Sequence, residues 1–237
     1  VNSLDDFTRF YTQLTDTHLT GEPQRQKHVL IMGAGLIGCE FANDLVASGY
    51  AVTVADPSSG PIAALLPVEA STQLRDALAD LGVRWHFGAT VKAVNKVTVG
   101  GESAGHLQVE LSNGQVALVD AVLSAIGLRA DTSLAQAAGL TCERGVVVDA
   151  ALQTSAPHIY ALGDSAQYAS AGGRTLPYVM PIMNAAKALA ATLAGMRTEV
   201  VFPLMPVAIK TPALPIVVAA PAPVSYTHLP LPTTYHV

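Results

Sequence analysis

Apolar residues recur along this chain with two different periods, and the switches between them outline its elements. Leu4, Phe7, Tyr11 and Leu14 fall at helical spacing behind Ser3, an N-cap candidate followed by Asp5 and Asp6, which predicts a lead-in helix over 4–14. After a polar linker at 20–26, the run His28–Met32 predicts a strand, Leu36–Ala47 a helix, and the β-branched run 51–55 a second strand, together one βαβ unit. A helix over 67–81 closed by Gly82 and a strand over 83–87 continue the alternation of a doubly wound parallel sheet. The character then changes. Segments 90–94, 107–111 and Val116–Val119 alternate apolar with polar around the turn signal Asn113-Gly114, predicting an antiparallel meander before an apolar strand over 121–126. Further on come a short helix at 132–138, short strands at Val146–Val148 and 159–162, and an Ala-rich helix from 181 to 194 ended by Gly195. Segments 199–209 and 215–219 open a further β-containing domain.

Composition narrows what such a chain does. Half the residues are hydrophobic and 13% are charged, which suits densely packed α/β layers with buried strands. A net charge of -5 without any basic run argues against a nucleic-acid surface. The longest apolar stretches, 29–38 and 214–224, fall short of the roughly 18 residues a membrane span needs and contain Gly or Pro. Cys39 and Cys142 are too far apart in sequence for a CxxC pair and too few for a disulfide framework, so a reducing cytoplasm is expected. The seven histidines show no ligand spacing, and no metal is expected. The first residues carry no signal-peptide pattern, and the natural start is expected to lie upstream. Residues 224–237, VSYTHLPLPTTYHV, shift abruptly in composition. They resemble the translated read-through of a sequencing adapter and are read as non-native, a natural Pro-rich terminus being the alternative.

Chemistry concentrates in a few places. Gly33-Ala34-Gly35-Leu36-Ile37-Gly38 stands between a predicted strand and a predicted helix, the context that a dinucleotide fingerprint requires. In it Gly33 permits the tight turn, Gly35 the approach of a pyrophosphate, and Gly38 close packing of helix on sheet, while the first helical residues Leu36 and Ile37 offer free N–H groups. Asp56 follows Gly33 by 23 residues, near the offset of about 20 expected for a carboxylate that accepts from ribose hydroxyls. It favours NADH over NADPH, because Pro57-Ser58-Ser59-Gly60 supplies no cation for a 2′-phosphate; the competing reading is a turn residue before Pro57. Glu40 stands two residues past Gly38. Tyr178-Val179-Met180-Pro181 leads into a helix whose free N–H groups attract anions.

Ile159-Tyr160-Ala161-Leu162-Gly163-Asp164-Ser165-Ala166 and Ser124-Ala125-Ile126-Gly127-Leu128-Arg129, taken together, resemble the pyridine nucleotide and flavin disulfide-reductase superfamily. CEFANDL from Cys39, LPYVMPIM from Leu176 and VAIKTP from Val207 are most similar to its rubredoxin reductases. The resemblance covers residues 1 to about 223 and implies a Rossmann-like NAD-binding domain (1–126) inserted in a split, three-layer FAD-binding domain, whose second segment is 127–197. The start of a C-terminal α+β domain follows at 198–223. By resemblance, Gly127, Gly163 and Asp164 contact FAD, Asp164 through the ribityl hydroxyls. Val179 meets the flavin edge through its main chain, Glu40 reaches the flavin and nicotinamide rings and pairs with a Lys upstream of this sequence, and Lys210 contacts FAD. On the residues alone Asp164 also reads as a helix N-cap and Lys210 as an edge-strand charge. The resemblance implies hydride transfer from NADH to FAD and single electrons to rubredoxin or a similar carrier, without a side-chain nucleophile. A dithiol or ferredoxin-type reductase of the same superfamily, a bare NAD-binding module, and a flavin-free NAD dehydrogenase, which would leave the second FAD signature unexplained, are the rival readings. The chain alone, without a first FAD segment, is expected to be inactive.

Overall fold

The computed structural model describes residues 3–15, 26–99 and 102–219, with the side chains of 98, 99 and 102–105 excepted. The described residues fall into two compact units: one runs up to Leu128 and takes in Ala208–Val218, and the other holds Arg129–Val207.

The first unit opens with α1 (Leu4–Thr15). Ser3 caps it as its residue type predicts, accepting the Asp6 N–H on Oγ at 3.1 Å. Its apolar stripe is mostly outward: Leu4, Phe7 and Tyr11 are exposed, and only Leu14, with Phe10 beside it, packs on the core. Strands β1 (His28–Met32), β2 (Ala51–Asp56), β3 (Arg84–Phe87) and β7 (Ala121–Ser124) form a parallel sheet in the order β3-β2-β1-β7. Val29, Leu30, Ile31, Val52 and Val54 have no exposed surface, the signature of a sheet covered on both faces. Helices α2 (Leu36–Ala47) and α3 (Val68–Asp80) bury Cys39, Ala42, Leu45, Leu74 and Leu78 into the same core. The second face takes Val109, Leu111 and Val119 from an antiparallel sheet of β4 (Val91–Val99), β5 (Glu102–Leu111) and β6 (Val116–Val119). Burying each such side chain contributes about 1.5–3 kcal/mol, which together offsets the ordering of the chain. β7 stops at Ser124, two residues before the expected end. Ala125 and Ile126 leave the strand to pack against the Gly33 turn, where the Ala125 carbonyl occupies the place a Cβ of residue 33 would need.

The chain order places β2 and β3 on one side of β1 and β7 on the other, so the order of strand addition reverses at β1. Open α/β sheets bind ligands outside the carboxyl ends of their strands at such a point. The hairpin of β10 (Val207–Ile209) and β11 (Ile216–Val218) belongs to this unit, seating Ile209 in its core.

The second unit is built around α5 (Val179–Leu193) and a parallel pair, β8 (Val146–Val148) with β9 (Ala166–Tyr168), preceded by the short α4 (Ser133–Ala137). Here one expectation is corrected. Residues 159–162 form no strand, only an isolated bridge of Tyr160 to Gln153, and the strand partner of β8 lies after the Gly163-Asp164 pair. The reason is burial: Ile159 is 46% exposed, whereas all three residues of β9 are buried.

Candidate functional site: a glycine-rich loop at the sheet reversal

The loop between β1 and α2 shows three glycines with three different duties. Gly33 has φ +102 and a Cβ there would stand 2.5 Å from the Ala125 carbonyl, so the turn excludes any side chain. A Cβ on Gly38 would lie 2.0 Å from the Gly33 carbonyl, which fixes the close seating of helix on strand. Gly35 is different: nothing lies within 4 Å of its Cβ position. It faces open space at the N-cap of α2, where no side chain caps the helix. The first N–H groups of α2, those of Leu36 and Ile37 among them, lack intrahelical partners and carry the positive end of the helix dipole. Such an uncapped helix start with open space before it is chemically suited to an anion such as a phosphate.

Asp56, at the end of β2, is bound into that loop. Its Oδ2 accepts the Ala34 N–H at 2.6 Å, and its Oδ1 accepts the Ser58 N–H at 2.7 Å and the Ser58 hydroxyl. A carboxylate offers about four acceptor positions. Three are used within the protein, so Asp56 fills the turn role, and one acceptor position remains on its carboxylate. Ser58 is a partner of Asp56 that sequence reasoning passed over; a serine two residues after an aspartate was its only signal. Arg75 lines a hollow of about 120 Å³ beyond Ser59 and Gly60, but it is tied to Asp76 by contacts of 2.7 and 2.8 Å.

Cys39 lies directly behind the loop, fully buried, with its thiol directed at the Ala34 carbonyl at 3.4 Å. Burial, aided by the nearby Asp56 and Glu40 charges, pushes its pKa up to about 12. A thiol held protonated in this way is a packing group rather than a redox centre.

Glu40 lies in the second turn of α2, since the helix begins at Leu36. Its Oε1 accepts the main-chain N–H of Lys210 at 2.9 Å, and Asn43 Oδ1, three residues on, accepts that of Ala213 at 3.1 Å. α2 therefore holds the segment between β10 and β11, and the exposed Lys210 stands just past β10. The contact runs through the main chain of Lys210, and its standing as the sole charge in the run 200–220 did not signal it. Gly127, with φ +101 and open space at its Cβ position, follows β7 in the same unit.

Gly163, Asp164 and Val179 belong to the second unit. Gly163 is buried with φ +91, and Asp164 beside it is exposed, on the amino side of β9 rather than at the carboxyl end of a preceding strand as expected. Tyr168 anchors the pair: with no exposed surface, its hydroxyl accepts the Gly163 N–H at 2.7 Å and donates to the Gly163 carbonyl at 3.2 Å. Burial raises the Tyr168 pKa, partly opposed by the Gly163 hydrogen bond and reinforced by the Asp164 charge. The helix α5 begins two residues earlier than expected, at Val179, with Tyr178 as an N-cap that makes no side-chain bond. Pro181 is its third residue, where a missing N–H costs no intrahelical bond. Val179, 73% exposed, thus marks a second uncapped helix end.

A parallel sheet whose strand order reverses at β1, an open glycine loop and an aspartate at the end of β2 define a dinucleotide-binding α/β protein. The chain belongs to the pyridine nucleotide-disulphide oxidoreductase family, whose model matches residues 2–191. Residues 199–228 match a rubredoxin binding C-terminal domain. It is 48% identical over 212 residues to a rubredoxin-NAD(+) reductase of Alcanivorax borkumensis, covering 90% of this chain and 51% of that protein. A nitric oxide reductase FlRd-NAD(+) reductase of Aeromonas salmonicida is 44% identical over 81% of this chain and 47% of its own length. The chain therefore spans about half the length of the curated relatives it matches. Among solved structures, the ferredoxin reductase for the CYP199A2 system from Rhodopseudomonas palustris superposes with a TM-score of 0.71 at 31% identity, over 85% of this chain and 47% of that one.

Proposed function

We propose that this chain is the nucleotide-handling portion of an NADH-dependent flavoprotein reductase that delivers electrons to rubredoxin or a similar small carrier. The observation that carries the proposal is the glycine cradle: Gly35 faces open space over an uncapped helix, with the Asp56 carboxylate at its rim. Gly33, Gly35, Leu36, Ile37 and Gly38 hold the pyrophosphate of NADH, and the remaining acceptor position of Asp56 takes a ribose hydroxyl. A 2′-phosphate is disfavoured there by charge, and Arg75 is already engaged with Asp76.

The bare end of α5 at Val179 and the exposed Asp164 fit an FAD whose ring edge gains negative charge on reduction. When bound, the two cofactors supply hydride transfer from nicotinamide to flavin. The protein binds and orients them: Asp164 accepts from the ribityl hydroxyls, and the α5 N–H groups stabilise the flavin edge. Glu40 and Lys210 line the nicotinamide side. We assign residues 1–126 to the NAD-binding domain, 127–197 to the second FAD segment and 198–223 to the start of the C-terminal domain, in a protein of the cytoplasm. No described helix is long and apolar enough to cross a membrane.

The electron acceptor follows from the rubredoxin-binding match and from relatives whose names include rubredoxin-NAD(+) reductase. A flavin absorbance titration tests the reading: the chain, complemented with the N-terminal portion of a matching relative, is expected to show a bound-flavin spectrum that NADH bleaches without oxygen. A folded complex that binds NADH but no flavin would leave only a nucleotide-binding module.

A further inference from the structure

The segment that returns from the end of β2 holds one residue of the glycine loop from both sides. Asp56 takes the Ala34 N–H, and from the opposite side the Ile62 N–H donates to the Ala34 carbonyl at 2.8 Å. The carbonyl of Ile62 in turn accepts the N–H groups of Leu65 and Leu66 at 2.9 and 3.0 Å, making residue 62 the node of its turn. Its conformation is unexpected for its type. Ile62 has φ +51, in the left-handed region where a β-branched side chain is a genuine outlier. A glycine would adopt it freely, and the sequence has glycines at most other positive-φ positions. The isoleucine is kept there by its side chain, 4% exposed within the core that β1, β2, α2 and α3 share.

Strain of this kind persists only where the surroundings over-determine it, and it clusters at binding sites. We propose that Ile62 is a positioning residue for the dinucleotide: its buried side chain locks a left-handed turn that clamps the Ala34 peptide, and so aims Gly35 and the first N–H groups of α2 at the pyrophosphate. The inference rests on reading that loop as the NADH site. It predicts that nucleotide affinity depends on the backbone conformation at residue 62 more than on the stability of the core around it.

The test is a fluorescence titration of NADH with the 237-residue chain and its variants, each well below its unfolding midpoint and shown to be folded by circular dichroism. Ile62→Ala removes the anchor but keeps a Cβ, so the turn relaxes and affinity is expected to fall about tenfold or more. Ile62→Gly takes up the same φ without penalty and keeps the N–H, so affinity is expected to return to within about threefold of the wild type although the core stays underfilled. Leu74→Ala, which truncates the same core on α3, is expected to lose stability with affinity unchanged. An Ile62→Ala chain that binds like the wild type, an Ile62→Gly chain as weak as it, or a Leu74→Ala chain equally weak would overturn the proposal. If Ile62→Ala does not fold, amide exchange decides on the wild type: protection of the Ile62 N–H is expected to rise when NADH binds, and unchanged protection overturns the clamp. A wild-type chain that fails to bind NADH removes the reading of the loop itself, an outcome distinct from the others.

Discussion

At the scale of single residues, each unit carries one buried group whose placement has a measurable consequence. Tyr168→Phe deletes only the hydroxyl that serves both the N–H and the carbonyl of Gly163. The Gly163 carbonyl keeps the Ala166 N–H at 3.1 Å, but the Gly163 N–H is left without the hydroxyl, which costs about 1–3 kcal/mol, so a chemical-denaturation midpoint is expected to fall accordingly. Cys39, with no exposed surface and a pKa near 12, is expected to resist a thiol reagent at pH 8 until the chain unfolds, while the partly exposed Cys142 reacts first. Equal and rapid reaction of both would contradict the buried placement. The sequence showed the glycines and Asp56 plainly, because their spacing follows from the turn they make. It hid Tyr168 and Ser58, whose roles come from folding back on residues only a few positions away, without any periodic trace.

Elements show the same division. Helix α2 and strand β1 were legible to the residue because apolar period and length agree there. The strand expected at 159–162 was misplaced because a short apolar run looks alike whether its pairing partner is present or not, and pairing is a property of β8. Within the glycine loop, duties separate cleanly under substitution. Gly38→Ala drives a methyl into the Gly33 carbonyl and is expected to destabilise the unit by about 1–3 kcal/mol or more. Gly35→Ala, pointing into open space, is expected to leave the thermal midpoint nearly unchanged while weakening NADH binding. A calorimetric scan paired with an NADH titration distinguishes them. At the end of β8, burial works to raise the Asp149 pKa, but hydrogen bonds from the Gln153 N–H, Arg197 and the Ala151 N–H outweigh it and hold it low. A carboxylate depressed on folding stabilises above its unfolded value of about 3.9, and that contribution is lost as the pH falls through the folded pKa. Urea midpoints of the wild type and Asp149→Asn are therefore expected to differ at pH 6 and to converge toward pH 3.

For the whole molecule, cofactor choice is the sharpest expectation. A ligand that binds only the folded chain stabilises it by about 2.7 kcal/mol at a hundredfold excess over its Kd. NADH is expected to raise the thermal midpoint, and NADPH at the same concentration to raise it far less, because Asp56 meets the 2′-phosphate. Equal shifts would remove Asp56 from the recognition of the ribose. The fold class was readable from the alternation of helix and strand, but the return of Ala208–Val218 to the first unit was not: it rests on tertiary contacts, the burial of Ile209 and the Lys210 and Ala213 N–H groups accepted by Glu40 and Asn43.

That return gives the chain a particular history on the ribosome. Synthesis proceeds at about 5–20 residues per second, so the first unit waits for seconds with its α2 acceptors and the seat of Ile209 uncovered while 129–207 are made. Until the hairpin arrives, the nascent first unit lacks Ile209 in its core and the Lys210 and Ala213 N–H groups that α2 later accepts.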